Sequence, residues 1–374
     1  MKSLFSKSLL FSLVALLSFS IKVSALQQQT NGVTYMAWQE IETLHPLPSH
    51  PISIVASTDS NAGDFVAMAK DAGDAGFYFL DHAHRDLGWQ KQGTFFQAEV
   101  KGLYYGLHRF FAFGIDRQSK QPVVATSSDH GKTWTQNIII GGTGYYDNAV
   151  FSDKIGVATG KDGAIATTGD GIAWKEVAPP SGTPKKIFCS MVSPGDAKNS
   201  AKYEFLLLET LPTHQYGFLV LKDFPIEPTI SSADGLLWNY SNYFPISSNQ
   251  YLMKENSMFL VGGSNYWYTS FTNITKILPG DFQALDPNDS MLPLIEIADC
   301  ISCGNFFVGV GIDSKTGHYV SLLTPLQQLG GCNMISVDFF SKKVMAVAGC
   351  QNGFVAIAED GTSYYSPYEV AHAK

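Results

Sequence analysis

Arginine is scarce in this chain of 374 residues. Its three arginines, Arg85, Arg109 and Arg117, all lie within one short segment. A pocket that holds a ligand carboxylate from several sides needs guanidinium groups from well-separated parts of the chain, so the sequence argues against such a pocket. A glycine-rich phosphate loop and a G-x-S-x-G nucleophile turn are also missing. Two common catalytic designs therefore have no motif here.

Long apolar runs are missing after residue 25, and no later segment approaches the roughly 20 apolar residues of a membrane helix. The first residues have a basic start, an apolar stretch over 9–17 and a small-residue end at Ala25. This pattern predicts a signal peptide over residues 1–25, cleaved after Ala25. We expect an exported protein, periplasmic or secreted, with no transmembrane segment in the mature chain. An uncleaved anchor is the alternative.

Positive charge is in the minority. The formal net charge is -8, and cleavage after Ala25 would remove three lysines and change it to -11. An acidic surface repels phosphate backbones, so we expect no nucleic-acid partner. The 34 glycines, 17 prolines and 13% aromatic residues favour a β-rich chain with many turns.

Cysteine is also sparse, at five residues: Cys189, Cys300, Cys303, Cys332 and Cys350. The odd number leaves at least one thiol without a partner in the chain. Cys300 and Cys303 have the spacing of a redox or zinc pair, but a second pair and a thioredoxin-like context are missing. We expect structural disulfides or buried thiols, whose pairing the sequence does not define, and no cofactor.

The chain does have a tryptophan-centred motif that recurs. Its complete copy, residues 127–134, reads S-S-D-H-G-K-T-W and matches S/T-x-D-x-G-x-T/S-W/F at every defined position. Oxygens of Ser127 and Asp129 can cap backbone N–H groups in a tight turn, and Gly131 can take a positive φ. Thr133 and Trp134 complete the motif. We call this segment box 1. It predicts a β-hairpin whose turn is stabilised by hydrogen bonds from its own side chains.

Three degenerate copies follow box 1. Boxes 2 and 3 keep the first hydroxyl, the glycine and the tryptophan, but their acid stands one place later. Box 4 loses the hydroxyl and carries Glu and Tyr as substitutions. The copies and their marker residues are box 2 over 167–174 with Gly171 and Trp174, box 3 over 231–238 with Gly235 and Trp238, and box 4 over 357–364 with Gly361 and Tyr364.

These boxes resemble those of the Asp-box, or BNR-repeat, β-propellers. Residues 145–177 are similar in particular to propellers of the photosystem II assembly and stability factor type, and the resemblance covers roughly residues 33–370. It implies that each box joins the third and fourth strands of a blade and serves the fold, away from the working face. Sialidases share this fold, but the arginine distribution argues against sialidase activity.

The aromatic markers predict the number of blades. Trp134 and Trp174 follow Trp89 at intervals of 45 and 40 residues, whereas Trp238 follows after 64, so one unit carries an insertion. We predict one all-β propeller domain over residues 26–374, with about seven four-stranded blades and six or eight as alternatives. The segment at Trp38 has strand character without a preceding box, and we expect it to complete or flank the last blade.

The candidate residues for metal binding or catalysis form no strong motif. His82 and His84 would point to one side of an extended strand, as a metal pair does. A polar turn before Trp89 is the alternative, and we expect no metal site. Five acids could supply the carboxylate pair of a glycosidase, although no pair is singled out. These acids are Asp147, Asp162, Glu209, Glu255 and Asp299.

The combined features favour a non-catalytic scaffold. We expect an exported, monomeric propeller that binds or assembles another exported or envelope protein through loops opposite the boxes. Exposed aromatic loops would provide the binding surface. The alternative is a carbohydrate-active propeller that binds a glycan or hydrolyses one.

Overall fold

The computed structural model describes most of the chain after residue 37, and the expected signal peptide lies outside it. The described residues are 38–42, 45–58, 63–71, 74–95, 98–151, 154–160, 164–178, 187–191, 205–209, 227–232, 239–244, 250–254, 257–262, 265–270, 283–284, 295–303, 306–313, 316–325 and 335–367.

In this part of the chain, the strands form seven four-stranded antiparallel sheets. The sequence analysis expects about seven blades. Sheet 1 contains β2 (Pro51–Ala56), β3 (Phe65–Asp71), β4 (Asp74–Leu80) and β5 (Gln90–Phe95). Sheet 2 contains β6 (Ala98–Gly106), β7 (Arg109–Asp116), β8 (Pro122–Ser127) and β9 (Thr135–Ile138). Sheet 3 contains β10 (Tyr146–Phe151), β11 (Gly156–Gly160), β12 (Ile165–Thr168) and β13 (Lys175–Val177).

The remaining four sheets have the same order of strands. Sheet 4 contains β14 (Ile187–Met191), β15 (Phe205–Glu209), β16 (Glu227–Ser232) and β17 (Asn239–Phe244). Sheet 5 contains β18 (Gln250–Lys254), β19 (Ser257–Gly262), β20 (Asn265–Ser270) and β21 (Gln283–Ala284). Sheet 6 contains β22 (Ile295–Cys303), β23 (Phe306–Asp313), β24 (Tyr319–Pro325) and β25 (Ile335–Phe340). Sheet 7 contains β26 (Val344–Cys350), β27 (Gly353–Ala358), β28 (Ser363–Pro367) and, at its outer edge, β1 (Gln39–Glu40).

The first strands of the sheets contact one another in a closed cycle. β2 contacts β6, and the contacts continue through β10, β14, β18, β22 and β26 back to β2. The first strand of each sheet therefore faces the axis of a ring. This arrangement is a β-propeller, and the predicted all-β propeller class is confirmed.

The N-terminal strand closes the ring. In β1, Gln39 pairs with Tyr365 and Glu40 with Tyr364, both in β28. The expectation that this strand completes the last blade is confirmed. Sheet 7 is thus built from both ends of the propeller, and the outer edge of β28 is covered.

The core lies between neighbouring sheets. β8 and β27 are buried at all six positions, because sheets cover both of their faces. Outer strands are different, since β9 is largely exposed. The apolar cluster between sheets 1 and 2 includes Phe77 and Phe110, and the cluster between sheets 2 and 3 includes Phe113. Burial between sheets therefore holds the ring together.

Candidate functional site

The two ends of the ring carry different connections. In an antiparallel sheet, the hairpins between strands one and two and between strands three and four lie at one end, and the hairpin between strands two and three lies at the other. Box 1 joins β8 to β9, the third and fourth strands of sheet 2, and box 2 joins β12 to β13 in sheet 3. We call this end of the ring the box end.

Box 1 is a closed hydrogen-bonded turn. Ser127 Oγ donates to Asp129 Oδ1 at 2.8 Å and accepts from the N–H of Gly131 at 2.9 Å. Asp129 also accepts from the backbone N–H and the hydroxyl of Thr133, at 2.8 and 2.6 Å. Trp134 Nε1 donates to the carbonyl of Gly131, which has a φ of +79°. These side chains satisfy one another and have a structural role.

Box 2 forms a similar turn that is one residue shorter. Thr168, and not Thr167, supplies its hydroxyl: Thr168 Oγ1 donates to Asp170 at 3.0 Å and accepts from Gly171 N at 3.0 Å. Asp170 accepts from the N–H groups of Ile172 and Ala173. The hydroxyl-x-Asp spacing of box 1 is retained, and the spacer between the acid and the glycine is lost. This explains why the acid of box 2 stands one place later than that of box 1 when the two boxes are aligned from Thr167 and Ser127.

Box 4 does not occupy the position of a box. It joins β27 to β28, the second and third strands of sheet 7, so it lies at the opposite end of the ring from boxes 1 and 2. Gly361 has a φ of +91° in this hairpin, and Tyr364 lies within β28. The assignment of Gly361 and Tyr364 to a box is therefore corrected, because the N-terminal strand takes the fourth place in this sheet. Gly235 and Trp238 of box 3 lie outside the described residues.

The tryptophans of the repeat pack against the preceding sheet. Trp134 stacks on Phe77 of sheet 1, with ring centroids 3.9 Å apart. Trp174 meets Phe111 and Phe113 of sheet 2 edge to face. Each stands directly before the outer strand of its own sheet. The repeated aromatic residue therefore packs in the interface between neighbouring sheets.

The histidine pair is used in a turn. Residues 81–84 turn into a short 3-10 helix, Arg85–Leu87, so the extended strand that would align His82 with His84 is not formed. His84 Nδ1 lies 2.8 Å from Asp81, and Arg85 contacts His82 Nδ1 at 3.0 Å. No group of three potential metal ligands occurs among the described residues. The two histidines have separate partners, as the polar-turn alternative required.

Cys300 and Cys350 are free thiols in the described part of the chain. Cys300 and Cys303 are half-buried and Cys350 is buried. Burial raises the pKa of Cys350 above its ordinary value. A disulfide between Cys300 and Cys303 is not formed. Side-chain positions for Cys189 and Cys332 lie outside the described residues.

The end of the ring opposite boxes 1 and 2 has a repeated irregularity in its first strands. In five sheets, the first strand carries one extra residue, a β-bulge, within its first four positions when it pairs with the second strand. We call this end the bulge end. The extra residues are Ile52, Lys101, Asp147, Ala298 and Met345. Bulges redirect side chains and are common beside functional sites.

Apolar side chains are accessible at the bulge end. Met345 is 37% exposed and Ala298 is exposed, while Ile52 and Asp147 are half-buried. Tyr104 Oη donates to the carbonyl of Asp147 at 2.6 Å, which links sheet 2 to the bulge of sheet 3. The bulge end therefore combines a fixed backbone with accessible apolar groups.

Asp299 connects two neighbouring bulges. It follows the bulged Ala298 in β22, and its Oδ2 accepts from the N–H of Val347 in β26 at 2.9 Å. Its Oδ1 accepts from the N–H of Cys300 at 2.9 Å. The residue as a whole is half-buried, but protein atoms surround the carboxyl group, and this burial raises the pKa of Asp299 to about 7. The two N–H groups lower the pKa in part.

The candidate acids do not form a described catalytic pair. Asp147 and Asp299 lie in the first strands of sheets 3 and 6, which are separated by two sheets along the ring. Asp162 and Glu255 lie outside the described residues, and for Glu209 only the backbone position in β15 is described. The sequence analysis names Asp299 as one of five candidate acids. The hydrogen bond that its carboxyl accepts from the N–H of Val347 distinguishes it.

The fold has known structural neighbours. No protein-family profile matches the chain, and no curated protein matches it significantly. The chain is similar to YCF48 from Cyanidioschyzon merolae, with a TM-score of 0.53 and 14% identity over 89% of this chain and 99% of that one. It is also similar to the β-propeller domain of Cps50 (Swd1) from Myceliophteria thermophila, with a TM-score of 0.54 and 7% identity over 90% and 99%. The computationally designed Ika8 protein gives a TM-score of 0.50 and 14% identity over 88% and 99%.

These neighbours define the class of the protein as a β-propeller. At identities of 7% and 14%, these similarities show the fold and do not indicate an activity. A propeller is compatible with protein interaction. Among the described residues, no helix has the length and apolar character needed to span a membrane.

Proposed function

We propose that this protein is an exported, monomeric, non-catalytic scaffold of the Asp-box propeller type, similar to photosystem II assembly and stability factors. Its partner is another exported or envelope protein, which places an uncharged apolar segment on the bulge end. The scaffold holds this segment and performs no chemistry on it. Met345 is the extra residue of the bulge in β26, and its exposure is the observation that carries the proposal.

Two features favour the bulge end over the box end. The polar side chains of box 1 satisfy one another within the turn, and its tryptophan packs against Phe77. At the bulge end, Met345 and Ala298 are exposed on neighbouring first strands. Exposed apolar groups on a rigid frame are typical of protein-binding sites.

Photo-crosslinking tests the location of the partner. Met345 and Ile172 are both exposed apolar residues, at 37% and 46%, but Ile172 lies in box 2 at the box end. A photoreactive benzoylphenylalanine at position 345 should crosslink to one defined protein in the native host. The same group at position 172 should not. Mass spectrometry of the crosslinked product identifies the partner.

Matched charge substitutions complete the test. Met345→Asp should weaken binding of the purified partner at least about tenfold, because a charge would be buried in the contact. Ile172→Asp should leave the affinity unchanged. Equal crosslinking from both positions, or equal affinities of both variants, would contradict a docking site at the bulge end.

A further inference from the structure

The outer edge of β9 in sheet 2 carries backbone groups that the sheet does not use. The N–H of Ile139 donates to the carbonyl of Pro122 at 3.0 Å, and hydrogen-bonded pairs alternate with non-hydrogen-bonded pairs along an antiparallel ladder. The pairs that Ile138 and Gln136 form with β8 are therefore non-hydrogen-bonded. The N–H and C=O groups of these two residues point away from β8, and they have no backbone partner in the described part of the chain.

Two other sheets have an outer edge that the chain itself covers. In sheet 3, Ile140 from the connection before the sheet donates its N–H to the carbonyl of Trp174 at 2.9 Å. In sheet 1, His45 from the connection before the sheet accepts from the N–H of Trp89 at 2.9 Å. The connection before sheet 2 consists of residues 96 and 97 alone. Its length leaves β9 without a covering segment of this kind.

The side chains of β9 do not protect this edge. Exposed edges are commonly protected by charged residues or proline, but β9 reads T-Q-N-I and contains neither. The outer strands β5, β13 and β25 each contain a charged residue. Ile138 is 55% exposed although it is apolar and β-branched. A further strand would pair with the free backbone groups and cover this side chain.

We propose that the outer edge of β9 binds an extended segment of a partner protein, which joins sheet 2 as a fifth, antiparallel strand. The backbone groups of Gln136 and Ile138 bind the backbone of the segment, and a β-branched apolar residue of the segment covers Ile138. This inference goes beyond the proposed function, because the edge lies on the rim of the ring and does not involve Met345.

The charges near the edge favour acidic residues at the ends of the segment. Lys132 stands three positions before β9, and Lys175 forms a bridge with Ile140, two positions after it. Both lysines are exposed. The nearby carboxylates of Asp129 and Glu176 accept hydrogen bonds within the fold. Exposed positive charge at both ends is complementary to acidic residues of a partner.

A second copy of this chain fits the edge less well than a partner segment. If two β9 strands pair through all their outward backbone groups, Ile138 lies opposite Gln136, and the apolar side chain meets an amide. If the two Ile138 side chains lie opposite each other, Gln136 meets Ile140, whose N–H and C=O already bond to Trp174 and Glu176. Neither register satisfies both the backbone groups and Ile138, so the occupant is a different chain.

A synthetic strand tests the edge directly. A fluorescein-labelled peptide with the sequence E-V-T-V-T-V-E is titrated with the full chain, and fluorescence anisotropy should show saturable binding. An analogue methylated at its valine and threonine nitrogens keeps the side chains and loses the N–H donors. It should bind at least about tenfold more weakly. No saturable binding of the parent peptide, or equal binding of the analogue, would overturn the proposal.

A matched pair of variants locates the binding site. Gln136→Pro removes an outward N–H and leaves the ladder with β8, because proline is tolerated where the N–H of an edge strand faces outward. It should weaken peptide binding about tenfold. Gln136→Ala removes the same side chain, which bonds to Asp116, and keeps the N–H. This control should bind like the wild type, and equal affinities of the two variants would contradict the proposed edge.

Two isoleucines give a second comparison that leaves the backbone unchanged. Ile138→Ser should weaken peptide binding about threefold, because a cross-strand contact is lost. Ile140→Ser should leave the affinity unchanged, since Ile140 is similarly exposed, at 59%, but its backbone is bonded to sheet 3. Equal affinities of these two variants would overturn the proposal. Sedimentation that shows a dimer of the full chain, dissociated by Gln136→Pro, would assign the edge to a second copy and overturn the partner segment.

Discussion

Trp38 donates its indole N–H to Ser321 Oγ at 2.9 Å, across 283 positions of the sequence. Trp38 stands directly before β1 at the outer edge of sheet 7, and Ser321 lies in β24 of sheet 6. The indole also lies 5.3 Å from the ring of Phe340. The N-terminal strand is therefore fixed to two sheets, by pairing with β28 and by insertion of its tryptophan into the next interface.

Removal of this anchor should be costly. Trp38→Ala is expected to lower the free energy of unfolding by about 3–5 kcal/mol, because a buried aromatic site is emptied. Trp38→Phe retains most of the packing and should cost less. Urea unfolding of both variants measures the effect. An unchanged stability in Trp38→Ala would show that the strand does not close the ring.

The equivalent tryptophans differ in one hydrogen bond. Trp89 Nε1 donates to Ser363 Oγ at 2.9 Å, whereas the buried Trp174 Nε1 has no hydrogen-bond partner in the described part of the chain. Both side chains are at most 2% exposed. Trp89→Phe should therefore cost about 1–3 kcal/mol more than Trp174→Phe, because it leaves a buried hydroxyl with a poorer partner. Thermal unfolding of the pair decides this, and equal losses would contradict the role of Ser363.

The glycine of box 1 meets two constraints. Gly131 has a φ of +79°, and a Cβ built on it would lie 2.5 Å from Val66 Cγ2 in sheet 1. Gly131→Ala should destabilise by about 2–4 kcal/mol through backbone strain and overpacking. Gly141→Ala is the control for strain, because Gly141 has a φ of +72° with no atom within 4 Å of its Cβ site.

The control should cost about 1 kcal/mol. Chemical denaturation compares the two variants. A similar loss in both would show that contact with Val66 contributes nothing. Truncation of that neighbour in Gly131→Ala should recover part of the loss, which a double-mutant cycle would detect as coupling.

The sequence was sufficient to predict the propeller class and the closing strand. Box 1 can be recognised from the sequence because its hydrogen bonds connect residues at most four positions apart, from Ser127 to Gly131 and from Asp129 to Thr133. Box 4 misled the prediction because its Gly-x-x-Tyr pattern also suits an ordinary hairpin. Its place in the sheet depends on β1, which comes from the other end of the chain.

The candidate site could not be found in the same way. A bulge is a property of the pairing between two strands, and no residue type marks it: Ile52, Ala298 and Met345 occupy equivalent positions. The environment of Asp299 depends on Val347, which is 48 positions away. Such a contact becomes visible when neighbouring sheets are placed side by side.

The acid of box 1 should make the hairpin sensitive to low pH. Burial works to raise the pKa of Asp129, but hydrogen bonds from Thr133 and Ser127 outweigh it and hold the pKa below the ordinary 3.8. A lowered pKa in the folded state gives stability that is present above pH 3.8 and is lost as pH falls through the lower folded value. Asp129→Asn, which has no charge to lose, should be less stable than the wild type by about 1 kcal/mol at pH 7.

This difference should shrink as the pH falls from 5 towards 2, because the wild type then loses the ionised acceptor. Asp86→Asn is the control, since Asp86 is an exposed acid outside the boxes. Its stability should follow that of the wild type at each pH. Guanidinium unfolding at a series of pH values measures all three proteins. A gap between wild type and Asp129→Asn that stays constant down to pH 2 would mean that the ionised carboxylate does not hold the turn, and that its shape depends on Gly131 and Trp134 instead.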